Sequence, residues 1–255
     1  PLGDTLGPPR SGRGDAIEWL APTDALLVGT GGSVHAVVEA ATSSAFGPTN
    51  ARQKDQVMPG ASGVQPVNAD TILYVEKAGR IVAEAALGDG GTYKATDLTI
   101  YAEHVTKTGL TQLCWAKQPH AVVWGCRTDG MLVGMTLNKD QGVFGWHRHP
   151  IGGSGIVESV CTIPSPEGGR DDLWLLVRRT IDGQTVRYVE YMTAEYQDGD
   201  DQRLAAYADC HLTYSGAAVS SFTGLDHLEG QSLQIKAGGA SHANATVSGG
   251  AVTLA

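Results

Sequence analysis

The chain contains few cysteines, no long hydrophobic run and no excess of positive charge. Four cysteines (Cys114, Cys126, Cys161 and Cys210) are too few for a disulfide scaffold in 255 residues, so we expect reduced thiols. No run approaches the roughly 18 apolar residues of a membrane-spanning helix, and no basic, apolar leader opens the sequence. We therefore expect neither a membrane span nor a secretory signal.

Negative charge exceeds positive charge, with 27 acidic residues against 18 lysines and arginines and a net charge of -9. The basic residues form no stripe, whereas tight nucleic-acid binders gain most of their affinity from Lys and Arg placed on phosphates. This balance argues against such a binder. It is compatible with a wall that DNA slides past without sticking, and also with surface acid that keeps a protein soluble.

Glycine is abundant, at 34 residues, and long helical patterns are scarce, which predicts an all-β chain rich in turns. The clearest unit spans about 40 residues between Leu110 and Pro150 and contains four apolar runs joined by turn signals. Its middle runs are apolar at consecutive positions, which indicates strands that are buried on both faces. Such a four-stranded meander is typical of one blade of a β-propeller. The four runs cover residues 113–116, 121–126, 131–135 and 143–146.

Other hairpins resemble the middle pair of this unit and recur about every 50 residues, close to the spacing of propeller blades. They pair residues 25–29 with 34–38, 72–75 with 81–83, and 173–177 with 186–189. We therefore predict an all-β fold of β-propeller blades, either about four blades or a partial propeller.

The pattern changes along the chain and predicts four segments. Residues 1–16 are a linker or a fragment boundary, 17–193 carry the propeller blades, and 194–203 are a polar linker. Residues 204–255 alternate apolar and polar side chains in short segments, which predicts a small antiparallel β module. Its expected strands cover residues 211–214, 219–222, 233–236 and 251–254.

Local turn chemistry gives two more specific expectations. Asp129-Gly130 lies between apolar runs, which predicts a type I′ hairpin turn with positive φ at both residues. Folding the preceding hairpin at Gln118-Pro119 places Cys114 opposite Trp124, so we expect no bridge between Cys114 and Cys126.

Two groups of residues could bind a metal ion. His147 and His149 point the same way on a strand, but a third ligand from His104, His120 or Glu158 cannot be placed from the sequence. The carboxylates of Asp198, Asp200 and Asp201 suit Ca²⁺, but they lack a twelve-residue loop with its terminal Glu. We favour hydrogen-bonding histidines and a solvated turn, and we predict no metal and no cofactor.

No sequence motif of an enzyme is complete. Residues 152–155 superficially resemble a nucleophile loop, but we interpret them as a flexible connection between blades. Residues 13–15 form an adhesion tripeptide, to which we assign no function. Arg178 and Arg179 could pair with Asp171, Asp172 or Glu190 across strands, and such structural ion pairs are worth little individually when exposed. A cell-envelope hydrolase would need paired carboxylates in one pocket, which the separated Glu103, Glu158 and Glu190 do not indicate.

Residues 122–136, 143–149 and 157–190 resemble a recurrent motif of structural proteins from tailed bacteriophages. The similar proteins are β-propeller tail proteins of the nozzle, tail tubular protein B or tail hub type, and the likeness extends over residues 16–192. Residues 224–230 resemble a small β module attached to such proteins, which is similar in fold to the first catalytic cysteine half-domain of ubiquitin-activating enzymes. Cys210 has no thioester context, so no ubiquitin chemistry is implied.

The resemblance implies a non-enzymatic virion component, assembled in the bacterial cytoplasm, in which several copies form a ring around the DNA channel of the tail. Its implied partners are other copies and other tail proteins, such as an adaptor or a tail fibre, and the genome passes through without specific binding. Proteins of this family are usually longer, so the resemblance implies that a propeller face or a platform domain is absent from this chain. The alternative is a receptor- or glycan-binding tail module, because exposed aromatic side chains on β loops commonly stack on sugars.

Overall fold

The protein is all-β in a computed structural model that describes residues 15–39, 50–54, 56, 58–89, 91–181, 183–201, 205 and 212–254. Its strands form several small antiparallel sheets, none of which closes on itself within these residues. Helical structure there is limited to α1 (Glu103–Thr106) and one 3₁₀ turn (Asp226–Leu228). The predicted all-β class is therefore confirmed.

Four sheets follow one another along the chain, and each is a meander whose strands pair in chain order. Sheet I contains β1 (Ile17–Pro22), β2 (Leu26–Thr30), β3 (Val34–Glu39) and β4 (Ala51–Lys54). Sheet II contains β5 (Val67–Asn68), β6 (Ile72–Val75), β7 (Val82–Gly88) and β8 (Thr92–Asp97). Sheet III contains β9 (Leu110–Ala116), β10 (Val122–Arg127), β11 (Leu132–Asn138) and β12 (Val143–His149). Sheet IV has three strands, β13 (Ile156–Pro164), β14 (Asp171–Ile181) and β15 (Gln184–Tyr191). The four predicted hairpins are all present, as β2–β3, β6–β7, β10–β11 and β14–β15.

Apolar side chains fill the seam between each sheet and the next. The seam between sheets I and II contains Trp19, Leu27, Ala36, Tyr74 and Ala85. Between sheets II and III lie Leu73, Val75, Val123, Val133 and Met135. The third seam contains Trp124, Leu132, Val157, Leu175 and Val177. Because removal of apolar area from water is the main favourable contribution to folding, these seams are the core of the four stacked sheets, and Leu225, Leu228, Val247 and Val252 form a separate cluster in the C-terminal segment.

Burial differs between the middle and the end sheets. Every residue of β6 and β10 is buried, so the sequence prediction of strands covered on both faces is confirmed for sheets II and III. Strand β2 alternates between half-buried and buried residues, and β14 alternates from Leu173 onward. Alternation of this kind means that one face of sheet I and one face of sheet IV are less covered than the other.

Polar side chains cross the seams beside the apolar core. On β9, Gln112 Oε1 accepts hydrogen bonds from Ser159 Oγ (2.9 Å) and from the backbone N–H of Val160 (3.1 Å). Thr162 Oγ1 donates to the Trp115 carbonyl at 2.7 Å, so the first strands of sheets III and IV lie close together. Lys139 Nζ lies 2.8 Å from Glu84 Oε1 across the seam between sheets II and III. These contacts fix how one sheet is placed on the next.

The hairpin turn at Asp129-Gly130 is not type I′, so that prediction is wrong. Gly130 has φ 79°, but Asp129 is not among the described residues with positive φ. The Gly130 N–H donates to the Arg127 carbonyl at 2.9 Å, and the Arg127 N–H donates to the Met131 carbonyl at 3.1 Å. This is a three-residue loop in which only the last residue is left-handed. The Asp129 carboxylate accepts hydrogen bonds from Arg127 Nε (3.0 Å) and from the Met131 N–H (3.3 Å), which hold this residue in the loop.

The predicted cysteine register is confirmed. Cys114 lies opposite Trp124, and Cys126 lies opposite Gln112. Cys114, Cys126 and Cys161 are free thiols. Cys210 lies outside the described residues, as do residues 1–14 of the predicted linker, His211 and Asp182.

The C-terminal segment forms two small antiparallel sheets, β16 (Ser221–Thr223) with β19 (Ala251–Thr253) and β17 (Ser232–Ala237) with β18 (Ala240–Thr246). The predicted strand at 211–214 is wrong for its described residues 212–214, which form no strand. Strand β18 was not predicted. Its sequence of Ala, Ser, His, Asn and Thr carries no apolar alternation. It forms because Gly238 and Gly239, with φ 59° and 81°, make the two-residue turn that folds it onto β17.

A close approach between Trp19 and Gly29 makes the first seam sensitive to one methyl group. A Cβ on Gly29 would lie 2.2 Å from Trp19 Cε2. We expect Gly29→Ala to lower the free energy of unfolding by about 1–3 kcal/mol, because the indole must leave its position in the core. Urea denaturation of the full chain measures this change.

The matched control is Gly145→Ala, on β12, where a Cβ would meet nothing nearer than Thr136 Cβ at 4.0 Å. We expect its effect to stay within about 0.5 kcal/mol of the wild type. Equal effects of the two substitutions would contradict the packing of Trp19 described above.

Candidate functional site

The histidines of the predicted metal motif form a pair on β12, facing the seam between sheets III and IV. His147 Nδ1 lies 2.6 Å from His149 Nε2, and the ring of Trp124 contacts both imidazoles at centroid distances of 5.5 and 4.9 Å. His147 lies opposite Gly134, where a Cβ would come within 2.2 Å of its Cε1. Because Gly134 has no Cβ, the sheet has room for this imidazole.

Burial determines the charge of the histidine pair. It lowers the pKa of His147, and it lowers the pKa of His149 to about 4, with a smaller contribution from the neighbouring His147. Both rings are therefore neutral at pH 7, and one ring N–H donates to the lone pair of the other. The arrangement is a hydrogen-bonded pair, as the sequence analysis favoured.

The candidates for a third metal ligand lie elsewhere. His120 Nε2 is 3.2 Å from Glu195 Oε2, Glu158 lies between Arg178 and Arg187, and His104 is on α1. In the part of the chain that the structure describes, no group of three or more His, Cys, Asp and Glu side chains is arranged to bind a metal ion. Two nitrogens are fewer than the three or four protein ligands of zinc sites.

The acidic cluster at residues 198–201 forms an exposed turn. The Asp200 carboxylate accepts a hydrogen bond from the Gln197 N–H at 2.8 Å, and the Asp200 N–H donates to the Gln197 carbonyl at 3.0 Å. Asp200 thus stabilises the turn through the backbone. This geometry agrees with the solvated turn that the sequence analysis favoured over a calcium loop.

A buried arginine organises the glycine-rich connection at residues 152–155. Arg179 is only 1% exposed, and its guanidinium binds both carboxylate oxygens of Glu190 at 2.8 and 3.0 Å. It also donates to the carbonyl of Gly152. Glu190 was one of three partners considered for these arginines, and it is the partner of Arg179, whose guanidinium is buried. The alternation of β14 turns Arg179 inward and Arg178 outward.

Arg178 pairs with a different carboxylate from the three that were predicted. Its Nε lies 2.8 Å from Glu158 Oε1, and Arg187 Nε lies 2.7 Å from Glu158 Oε2. Hydrogen bonding from Arg187, and then the charges of both arginines, lower the pKa of Glu158. Glu158 and Glu190 are therefore bound to arginines on opposite faces of sheet IV, whereas Glu103 lies on α1. The three glutamates do not share one pocket.

Sequence reasoning missed an apolar groove between the end of β8, α1 and β12. The groove has a volume of about 320 Å³ and is lined mainly by Leu98, Ile100, Tyr101, Val105, Phe144 and Trp146. Tyr101 is 96% exposed, whereas Trp146 is fixed by a hydrogen bond from its Nε1 to the Leu98 carbonyl at 2.8 Å. Phe144 and Trp146 are far in sequence from the lining residues at 98–105, and the seam between sheets II and III brings the two groups together. The apolar residues Ile100 and Tyr101 in a connecting segment were the available signal.

Comparison with known proteins gives no relative: no family model matches the chain, and no curated protein matches it. The function must therefore be argued from the geometry. None of the helices in the described residues combines the length and the apolar character that crossing a membrane requires.

The histidine pair predicts that acid destabilises the protein. Both folded-state pKa values lie below the ordinary histidine value of about 6.5, so the unfolded chain binds more protons in this range. The stabilisation is complete above pH 6.5 and is lost as the pH falls toward about 4. Each proton contributes a slope of at most about 1.4 kcal/mol per pH unit. Urea denaturation at pH 4.5, 5.5, 6.5 and 7.5 measures this slope.

The variant His149→Gln should flatten the dependence between pH 4.5 and 6.5. His242→Gln, on the exposed strand β18, is the matched control and should keep the wild-type slope. An unchanged slope in His149→Gln would contradict the assignment of this acid sensitivity to the pair.

Loss of the carboxylate should affect the free energy of unfolding very differently in the two arginine–glutamate clusters. Glu190→Ala leaves the buried guanidinium of Arg179 without its carboxylate and should lower the free energy of unfolding by about 3 kcal/mol. Glu158→Ala removes a carboxylate from exposed arginines and should leave stability almost unchanged. Thermal denaturation of both variants tests the contrast, and a larger loss in Glu158→Ala would contradict it.

Proposed function

We propose that this chain is a structural component of a tailed-phage virion, a nozzle, hub or tail-tube protein whose stacked sheets form part of a ring around the DNA channel. The observation that carries the proposal is the face-to-face stacking of consecutive meanders, with three apolar seams between sheets I, II, III and IV. β-Propellers are built from four-stranded meanders that pack in this way around an axis. On this interpretation the sheets are about four blades of a propeller or of part of one.

The position of the first strands supports a propeller-type arrangement. In sheets I to III the first and last strands in chain order lie at opposite edges. Gln112 and Thr162 make hydrogen bonds between strands β9 and β13, so the first-strand edges of sheets III and IV converge. Converging first strands would surround the axis, and the last strands would lie outside.

The end sheets support assembly with other chains. Sheets I and IV each have one face that is less covered, and exposed apolar side chains there include Leu20 on β1 and Val189 on β15. Exposed apolar surface of this kind commonly marks a protein interface. The proposed partners are other copies in a ring and further tail proteins, such as an adaptor or a tail fibre.

The charge of the chain suits a conduit. Its net charge of -9 would keep a DNA backbone from adhering to the wall during genome ejection. The genome would pass without specific binding, and assembly would take place in the bacterial cytoplasm. On this proposal the protein is not an enzyme.

The experiment is cryo-electron microscopy of virions of the phage that encodes the chain, with and without a bound Fab raised against the full chain. We expect Fab density in a ring on the tail. A phage in which the gene is deleted should yield particles that lack a complete tail, and a plasmid copy should restore the tail. Fab density outside the tail, or normal tails in the deletion phage, would reject the proposal.

A receptor- or glycan-binding tail module is the second candidate, and the groove at Tyr101 and Phe144 favours it. Aromatic side chains at an exposed groove can stack on sugar rings. A glycan array probed with the wild type and with Tyr101→Ala decides the matter, with Tyr188→Ala as the control at another exposed tyrosine. Binding that only Tyr101→Ala abolishes would establish this candidate, whereas an array without binding would exclude it.

A further inference from the structure

Sheet IV stops one strand short of the other three sheets. In sheets I, II and III a fourth strand (β4, β8 and β12) pairs antiparallel with the third. In sheet IV the third strand, β15, is the last strand of the sheet within the described residues. Among the described residues, none occupies beside β15 the position that a fourth strand takes in each sister sheet.

The backbone of β15 presents a row of hydrogen-bonding groups at this open edge. The Met192 N–H donates to the Leu173 carbonyl at 2.9 Å, which fixes the alternation of bonded pairs between β14 and β15. The N–H and C=O groups of four alternate residues then point away from β14, at Thr185, Arg187, Val189 and Tyr191. No described residue pairs with these backbone groups.

The edge lacks several of the features that usually protect a free strand, although it carries the charges of Arg187 and of the inward-facing Glu190. Strand β15 is eight residues long, pairs in a regular register without a bulge, and contains neither Pro nor Lys. Val189 is 72% exposed and Tyr191 is 52% exposed. Long, regular and apolar edges are the ones that pair with another chain.

Charge identifies the kind of strand that fits. Arg178 and Arg187 share the single carboxylate of Glu158, which leaves a surplus positive charge beside the edge. The fourth strands of a second copy are poorly matched, because β4 carries Arg52 and Lys54, β12 carries Arg148, and β8 carries Lys94 together with Asp97. The carboxylate of Asp97 on β8 accepts hydrogen bonds from Thr99, and that of Glu190 is bound to Arg179.

We propose that the edge of β15 binds an extended strand of another polypeptide, antiparallel to β15, by β-augmentation. The strand carries an acidic side chain opposite Arg187 and apolar side chains opposite Val189 and Tyr191. Backbone hydrogen bonds to the four outward-facing residues give affinity, and the alternate side chains give specificity. This proposal does not depend on the phage assignment.

The test uses the full chain and a fluorescein-labelled peptide of the sequence Val-Thr-Ile-Thr-Glu-Thr-Thr, read by fluorescence anisotropy. In the antiparallel register its first, third and fifth residues lie opposite Tyr191, Val189 and Arg187. We expect saturable binding that is at least tenfold weaker for Val189→Lys. The matched control, Ile163→Lys, is exposed on β13 at the other edge of sheet IV and should bind as the wild type does.

Two further comparisons separate strand pairing from non-specific adhesion. N-methylation of the Ile and Glu amides removes donors that face β15 and should abolish binding, whereas N-methylation of the two Thr amides that flank the Ile should preserve it. Arg187→Glu should weaken binding of the Glu peptide at least fivefold and restore binding of a peptide that carries Lys in its place.

Absence of saturable binding, equal binding of the two methylated peptides, or unchanged binding by Val189→Lys would overturn the proposal. Two measurements on the unliganded chain can also overturn it. Sedimentation that shows a dimer which Val189→Lys dissociates would identify a second copy as the occupant. Slow hydrogen exchange at the amides of Arg187, Val189 and Tyr191 in the monomer would mean that the edge is already paired.

Discussion

The structure depends on one constraint: a sheet that is apolar on both faces must have a neighbour on each side. Strands β6 and β10 are buried along their whole length, and neither could remain in a sheet with a face in water. Each meander therefore stabilises the next, and the core is divided among three seams. Stacking also places the first strands of neighbouring sheets close enough for side-chain hydrogen bonds, such as that of Gln112 with Ser159.

The same constraint explains why the two ends of the row differ from its middle. Within the described part of the chain, sheets I and IV each have a sheet neighbour on one face only, and their second strands alternate between buried and half-buried residues over most of their length. The apolar side chains left exposed at the ends, and the open edge of β15, are consequences of where the row of described sheets stops. A protein of this construction is suited to binding other chains at its ends, which is what the proposed role in a tail requires.

Local sequence patterns predicted the strands well, because the period of the apolar residues and the turn residues determine them directly. The register that sets Cys114 opposite Trp124 followed from one turn position. The turn at Asp129 was not predictable from the Asp-Gly dipeptide alone. The Asp129 carboxylate is bound by the side chain of Arg127, which lies outside that dipeptide. Strand β18 escaped prediction because it owes its existence to a Gly-Gly turn and to pairing with β17, and its own side chains carry no apolar signal.

The histidine pair, the buried Arg179 and the groove at Tyr101 all depend on packing between elements that are distant in sequence. The sequence therefore predicted only part of their geometry. The alternation of β12 put His147 and His149 on one face, but their neutral state follows from burial against Trp124. For Arg179 the sequence left three partners open and did not show that the side chain is buried, because its burial depends on the contact of β14 with the 3₁₀ turn at Asp226–Leu228 and on the connection at Gly152. The groove at Tyr101 is formed by residues of two different sheets, and a local sequence pattern cannot predict that they meet.

Native-state hydrogen exchange tests most directly whether stacking between neighbouring sheets holds the protein together. If it does, amides of β6, β10 and β11 exchange only through global unfolding, and those of β2 and β14 exchange through openings of lower free energy. Slower exchange in sheet I or sheet IV than in sheets II and III would contradict this account, because a sheet with a single seam would then be the most stable part of the protein.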